Sequence, residues 1–235
     1  MRCCQLLRVS SQKLAAAFMP YKPIPSNPIV YMDITVEGED LGRVSIELFH
    51  DTVPKSVENF RSFCTGERCV NTTSKRASVL YYKGVPFHRI IPGFVVQGGD
   101  VLTRDGRSNV SVFGYPFPDE SFAGKAGKHL PGTVALSSSG PNQNGSQFFF
   151  NLNNNEQLNN KFVVVGQVVD GWDVITTISK TCGSRCGVPV SRAWISECGQ
   201  SGGYLADEVR ASMEGERAPH QLPGQEVLDV IQPRY

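Results

Sequence analysis

The chain has 235 residues, a formal net charge of +1 and 40% apolar residues, enough for one substantial domain with its own core, or for one domain plus extensions. Near charge balance with no basic stripe argues against nucleic acid as the main partner, and no apolar run approaches the roughly 20 residues needed to span a bilayer, so a soluble, non-membrane protein is expected. Seven cysteines are scattered without a Cys-x-x-Cys pair beside histidines, which argues against a disulfide scaffold and against a metal site.

From Met1 to Met32 there is no acidic residue, whereas Arg2, Arg8, Lys13 and Lys22 are basic, and Leu6, Leu7, Leu14 and Phe18 can share an apolar helical flank. This is the composition of a mitochondrial presequence. The alternative is an extension that carries no address and leaves the chain in the cytoplasm; both readings stay open. Pro20, Pro23, Pro25 and Pro28 exclude a continuing helix and predict an extended linker, so 1–27 is expected to be an N-terminal extension.

The globular domain is expected over 28–200. Val30, Met32, Ile34 and Val36 alternate with Tyr31, Asp33 and Thr35, the period of a half-buried strand, and Val44, Ile46 and Leu48 form a second such run after a turn-rich segment. Asp51-Thr52-Val53-Pro54 predicts a helix start with a capping side chain, followed by Val57, Phe60 and Cys64 at helical spacing up to Gly66. Glu67 to Tyr82 lacks a period and reads as a long surface loop.

Phe87 to Asp100 sets Arg89 among apolar residues and follows it with Phe94, Gln97 and a glycine pair. The stretch is expected to be largely buried, and a buried guanidinium is retained only where something uses its donors. Thr103 to Pro118 is irregular, and further strands are predicted at Gly132–Leu136, Gln147–Leu152, Phe162–Val169 and Ala193–Cys198, with a second helix from Asp170-Gly171 burying Trp172, Ile175 and Ile178. Residues 201–235 form a mixed-charge, net acidic tail treated as an appendage. Many short strands with two widely separated helices disfavour a parallel doubly wound sheet and fit a mainly β, antiparallel barrel capped by helices.

No Gly-rich phosphate loop, no paired histidines on a helix and no Gly-x-Ser-x-Gly elbow is present, and the histidines are dispersed. What remains is a set without a nucleophile: Arg89, Phe94, Gln97, Gln147, Phe149 and Leu158. Alternation from Gln147 puts Gln147, Phe149 and Asn151 on one face and Phe148, Phe150 and Leu152 on the other, so one face is core and the other can present an amide and a ring to a cleft.

Phe87-His88-Arg89-Ile90-Ile91-Pro92-Gly93-Phe94, Gln97-Gly98-Gly99-Asp100, Gly140-Pro141-Asn142, Asn144-Gly145-Ser146-Gln147-Phe148-Phe149 and Cys198-Gly199-Gln200 resemble the cyclophilin family of peptidyl-prolyl cis/trans isomerases, with the blocks in order from about Pro28 to Gln200. The resemblance implies a closed eight-stranded antiparallel barrel with a helix at each end and the site on its outer face. It implies X-Pro peptides and folding client proteins as substrates, without cofactor or metal. By resemblance Arg89 donates to the prolyl nitrogen, Gln97 holds Arg89 or the substrate carbonyl, and Phe94, Phe149 and Leu158 line the proline pocket, with Val95 where the family often has methionine. Backbone groups around Ser137 and Ser138 would pair with the peptide; Gln147 would line the groove and Gly106 the neighbouring pocket. With no proton transfer, activity should depend weakly on pH near neutrality.

The chain departs from the family at Ser137-Ser138-Ser139, where asparagine and alanine are common; at Gln157, in place of the tryptophan that many members use for cyclosporin; and at Phe162, at the position of a site histidine. Weaker cyclosporin binding and an altered substrate preference are the expected consequences. The long loop resembles the divergent-loop subgroup, which makes Cys64 and Cys198 a candidate redox pair; the alternative is two buried small hydrophobes. A second functional reading is a proline-segment binding module within a larger assembly.

Overall fold

The computed structural model describes residues 20–71 and 77–202. The presequence reading, the tip of the long loop at 72–76 and the tail beyond 202 fall outside the described residues. Strands β1 (Ile29–Val36) and β2 (Glu39–Leu48) pair antiparallel. Glu37 and Gly38 join them with φ of 49° and 92°, the left-handed pair that matches hairpin twist. Val30, Met32 and Ile34 are fully buried, as their alternation requires.

Helix α1 (Pro54–Thr65) buries Val57, Phe60, Phe63 and Cys64 and stops at Gly66, whose φ is 68°. Its expected cap does not form: Val53 stands at the N-cap without a side-chain bond. The carboxylate of Glu120 takes over, accepting from the backbone N–H groups of Lys55 (3.0 Å) and Ser56 (2.7 Å). A distant carboxylate satisfies two orphan donors and complements the helix dipole. The expected surface loop also contains structure, since β3 (Arg68–Asn71) and β4 (Ala77–Leu80) pair antiparallel. Backbone pairing needs no apolar period, so polar side chains concealed it.

The remaining strands are β5 (Arg89–Ile91), β6 (Val95–Gly98), β7 (Thr133–Leu136), β8 (Phe148–Asn151), β9 (Val164–Asp170) and β10 (Ala193–Gly202), and helix α2 (Trp172–Cys182) lies between the last two. Eight strands form one antiparallel sheet in the order β10-β1-β2-β9-β7-β8-β6-β5. The sheet is strongly curled, but the expected closed ladder is not present: β5 and β10 do not pair as strands. The seam carries an isolated bridge between Pro86 and Trp194, flanked by Phe87 N–H to Ala193 O at 3.0 Å and Ile195 N–H to Val85 O at 3.0 Å. In this non-hydrogen-bonded pair the bonds are made by the flanking residues, so the missing N–H of Pro86 removes none of them.

The interior is aromatic on the α1 side. Phe60, Tyr82 and Phe148 pack with centroids 5.0 to 5.4 Å apart, and Phe87 meets Phe148 and Phe150 at 6.4 Å. Such edge and tilted contacts add to the large area each ring removes from water.

The proline-rich stretch expected as an extended linker is tied to the sheet. Tyr21 exchanges two backbone bonds with the Gln167 amide (3.0 and 2.9 Å) and sets its ring edge-on to Phe49 at 5.7 Å. Glu47, only 1% exposed, accepts from Ile24 N–H (2.8 Å), Asn27 Nδ2 (2.9 Å) and Gln167 Nε2 (2.8 Å). Three donors around one buried carboxylate meet the condition under which its burial is tolerated.

Candidate active site

Strand register assembles the site. Arg89 stands opposite Gln97 in the β5–β6 pair, and Gln97 opposite Phe149 in the β6–β8 pair. One residue along, Ile90, Val96 and Phe150 stand in the adjacent row and are fully buried. Because side chains alternate across a strand, the Arg89-Gln97-Phe149 row faces outward wherever the Ile90 row faces the core. Arg89 is therefore exposed, which corrects the expectation of a buried guanidinium. Ile90 beside it points into the core and Arg89 does not.

A chain of amides leads away from the cation. Arg89 Nη1 donates to Gln97 Oε1 at 3.2 Å; Gln97 Nε2 donates to Gln147 Oε1 at 3.0 Å and to Ser137 Oγ at 3.1 Å; Gln147 Nε2 donates to the carbonyls of Gly106 (2.9 Å) and Ser108 (2.8 Å). Only one orientation of each amide is consistent with this set, since a guanidinium has donors alone. Gly106 has φ of 91°, and a Cβ there would lie 2.7 Å from the His88 ring, so only glycine fits between loop and imidazole.

Asp100 fixes the same loop. It is fully buried and accepts from Gly106 N–H at 2.8 Å and Thr103 N–H at 3.0 Å, with the Thr103 and Ser108 hydroxyls also bonded to it. Burial alone would raise its pKa, but the Ser108 and Thr103 donors hold the carboxyl well below the usual carboxylate range.

The apolar wall lies beside this relay. Phe149 is 4% exposed; Phe162 meets it edge-on at 5.5 Å and the fully buried His129 stacks on it at 5.8 Å. Phe94, Leu158 and Phe162 are partly buried against the core, whereas Val95 is buried at 2%. Asn155 joins the two sides of the wall, donating to Phe94 O at 3.1 Å and Asn151 Oδ1 at 2.9 Å, and the short 3-10 turn Glu156–Leu158 follows it. Gln157 on that turn is exposed, and Ser138, just past β7, is half-buried.

Two contributors escaped the sequence reading. Asn109 donates to Ser137 O and Gln143 O, both at 3.1 Å, and accepts from Gln147 N–H at 2.9 Å. His129 supports Phe149, and burial pushes its imidazole down to about 4, against the raising effect of its contact with Asn159. The partners of Asn109 lie far along the chain, so no local pattern marks it.

Cys64 and Cys198 are both buried and unbridged. Burial, with Cys198 as a further contributor, pushes the Cys64 thiol well up, and burial followed by Glu197 pushes Cys198 up to about 12. Such thiols are weakly reactive at neutral pH. Among the described residues no group of three His, Cys, Asp or Glu side chains converges as a metal-ligating cluster.

An outward row of cation, amide and aromatic ring is what the sequence blocks imply, and comparison with known proteins decides the family. Residues 31–200 match the family model described as cyclophilin type peptidyl-prolyl cis-trans isomerase/CLD. The chain belongs to the cyclophilin family. Among curated relatives, the peptidyl-prolyl cis-trans isomerase CYP21-1 of Arabidopsis thaliana is 43% identical over 181 residues, covering 77% of this cyclophilin and 79% of the relative. Membership makes this cyclophilin an isomerase by class, with proline-containing peptides as the family's substrates.

Proposed function

We propose that this cyclophilin isomerises X-Pro bonds by non-covalent stabilisation of the twisted amide, with Arg89 as the donor to the prolyl nitrogen. The observation that carries this is the state of Arg89. It is exposed beside the Phe149 wall, and Gln97 takes only one of its hydrogen bonds. Among the described residues the other guanidinium donors meet no hydrogen-bond acceptor, which leaves them for a ligand.

The barrier to rotation, roughly 20 kcal/mol, comes from resonance between nitrogen and carbonyl. At the twisted geometry the nitrogen lone pair is localised, so a donor aimed there binds the transition state better than either planar isomer. A proline ring seated against Phe94, Phe149, Leu158 and Phe162 would bring its nitrogen beside the guanidinium. The peptide would then displace water, and the field at the nitrogen would strengthen as the local dielectric falls. No proton moves and no bond is made or broken, so the rate should be nearly flat around neutral pH.

In this reading the substrates include folding client proteins, and Gln157 weakens cyclosporin binding by removing an aromatic contact. The basic, acid-free N-terminal segment carries a mitochondrial address; sequencing the mature N-terminus tests that, and a cytosolic chain retaining Met1 would contradict it. Exchange NMR on a short X-Pro peptide tests the activity. Faster cis/trans exchange at micromolar protein is expected, and an unchanged rate would refute it. Binding of the peptide without acceleration would make the groove a recognition module instead, in keeping with membership of a larger assembly.

A further inference from the structure

We propose that the Ser137 hydroxyl is a positioning group for catalysis, holding the Gln97 amide so that its oxygen faces Arg89. This rests on the isomerase reading above and deepens it. The hydrogen-bonding inventory forces the logic. Arg89 has only donors, so the Gln97 atom beside it must be Oε1, and Nε2 then points the other way with two protons to place. One goes to Gln147 Oε1 at 3.0 Å and the other to Ser137 Oγ at 3.1 Å. Gln147 can offer its oxygen because its own nitrogen is committed to the Gly106 and Ser108 carbonyls.

Ser137 is itself held from both ends of its peptide unit. Its N–H donates to Gln147 O at 2.8 Å, and its carbonyl accepts from Asn109 Nδ2 at 3.1 Å. The hydroxyl therefore stands on anchored backbone, directly after β7, and costs little to orient. With alanine at this position the second Nε2 proton has no acceptor among the described residues. The amide is then held by Gln147 alone, and its hold on the plane of the guanidinium loosens.

The test compares Ser137→Ala and Ser137→Thr with the wild-type chain. Exchange NMR on the X-Pro peptide gives the bound exchange rate, peptide titration gives Kd, and the Gln97 side-chain amide resonances report the hydrogen bond itself. Ser137→Ala should slow exchange about fivefold, the scale of one neutral hydrogen bond, with Kd unchanged within about twofold on the same scale. The Gln97 amide resonances should shift, and Ser137→Thr should restore both rate and resonances. An active wild type with a fully active Ser137→Ala overturns this proposal alone. So does a loss that appears in Kd and not in the rate, since Ser137 would then be a substrate contact. An inactive wild type overturns the isomerase reading and the positioning role with it. Circular-dichroism melting of both variants separates a local effect from misfolding, and a rate loss that follows the melting temperature, unrescued by threonine, also counts against it.

Discussion

Asn27 is the sharpest place to perturb the segment that runs ahead of β1. It is 2% exposed, donates to Glu47 Oε1 at 2.9 Å and Asp51 Oδ1 at 3.0 Å, and accepts from Asp51 N–H at 3.3 Å. Asn27→Ala leaves the Glu47 carboxylate, 1% exposed, with Ile24 N–H and Gln167 Nε2 as partners. Hydrogen bonds to charged groups are worth more than neutral ones, so about 2 to 3 kcal/mol should be lost. For a domain of this size each kcal/mol moves Tm by about 2–4 °C, which puts the expected shift at about 4–12 °C. Asp51 provides an independent readout. Burial raises its pKa, whereas Lys125, Asn27 and Thr52 lower it below its ordinary value, so the variant should move it upward. Thermal unfolding of the full chain, followed by circular dichroism, measures the first effect, and NMR titration of the Asp51 carboxyl the second. A Tm within about 1 °C of wild type, well under the shift that Tm scaling gives for even one lost bond, would show that the proline-rich segment is an unattached linker after all.

The remaining predictions concern the site wall. His129 is buried neutral, and its pKa falls from 6.5 to about 4; the unfolded chain takes up this proton first, so stability should decline as pH falls below about 6.5 and level off below about 4, by at most about 3 kcal/mol. NMR titration of its ring should find a midpoint near 4, and a midpoint near 6.5 would contradict the burial account. Gln157→Trp should tighten cyclosporin binding by at least about tenfold, the scale of an aromatic contact at an interface, as read by calorimetry; no change would mean that residue 157 does not face the drug. Isomerisation itself should vary less than about twofold between pH 6 and 8, because general acid–base catalysis is not invoked, and a bell-shaped profile in that window would require a titrating group.

Much of the fold was legible because alternation and helical spacing record which face is buried. Val30, Met32 and Ile34 marked β1, and Phe60 and Cys64 marked α1, by the same physics that buries them. The candidate set of Arg89, Gln97, Gln147 and Phe149 is legible as sequence blocks; register brings Arg89, Gln97 and Phe149 into one row, and a hydrogen bond joins Gln147 to it. The error over Arg89 was local: strand alternation, applied to Ile90 as a core residue, places Arg89 on the outer face. The rest was concealed by distance. Glu120 caps α1, Gln167 holds Tyr21, and Asn109 braces Ser137 across long stretches of chain. Strand β5 is only three residues long and the seam with β10 carries a single bridge, which strand counting does not anticipate.

The central claim is that an exposed guanidinium, held by one amide beside an aromatic wall, stabilises the twisted X-Pro bond. Exchange NMR with Arg89→Ala tests it most directly. The bound exchange rate should fall about 100-fold, the scale for removing one transition-state donor, while peptide Kd changes little. A variant that exchanges the peptide as fast as wild type would contradict it.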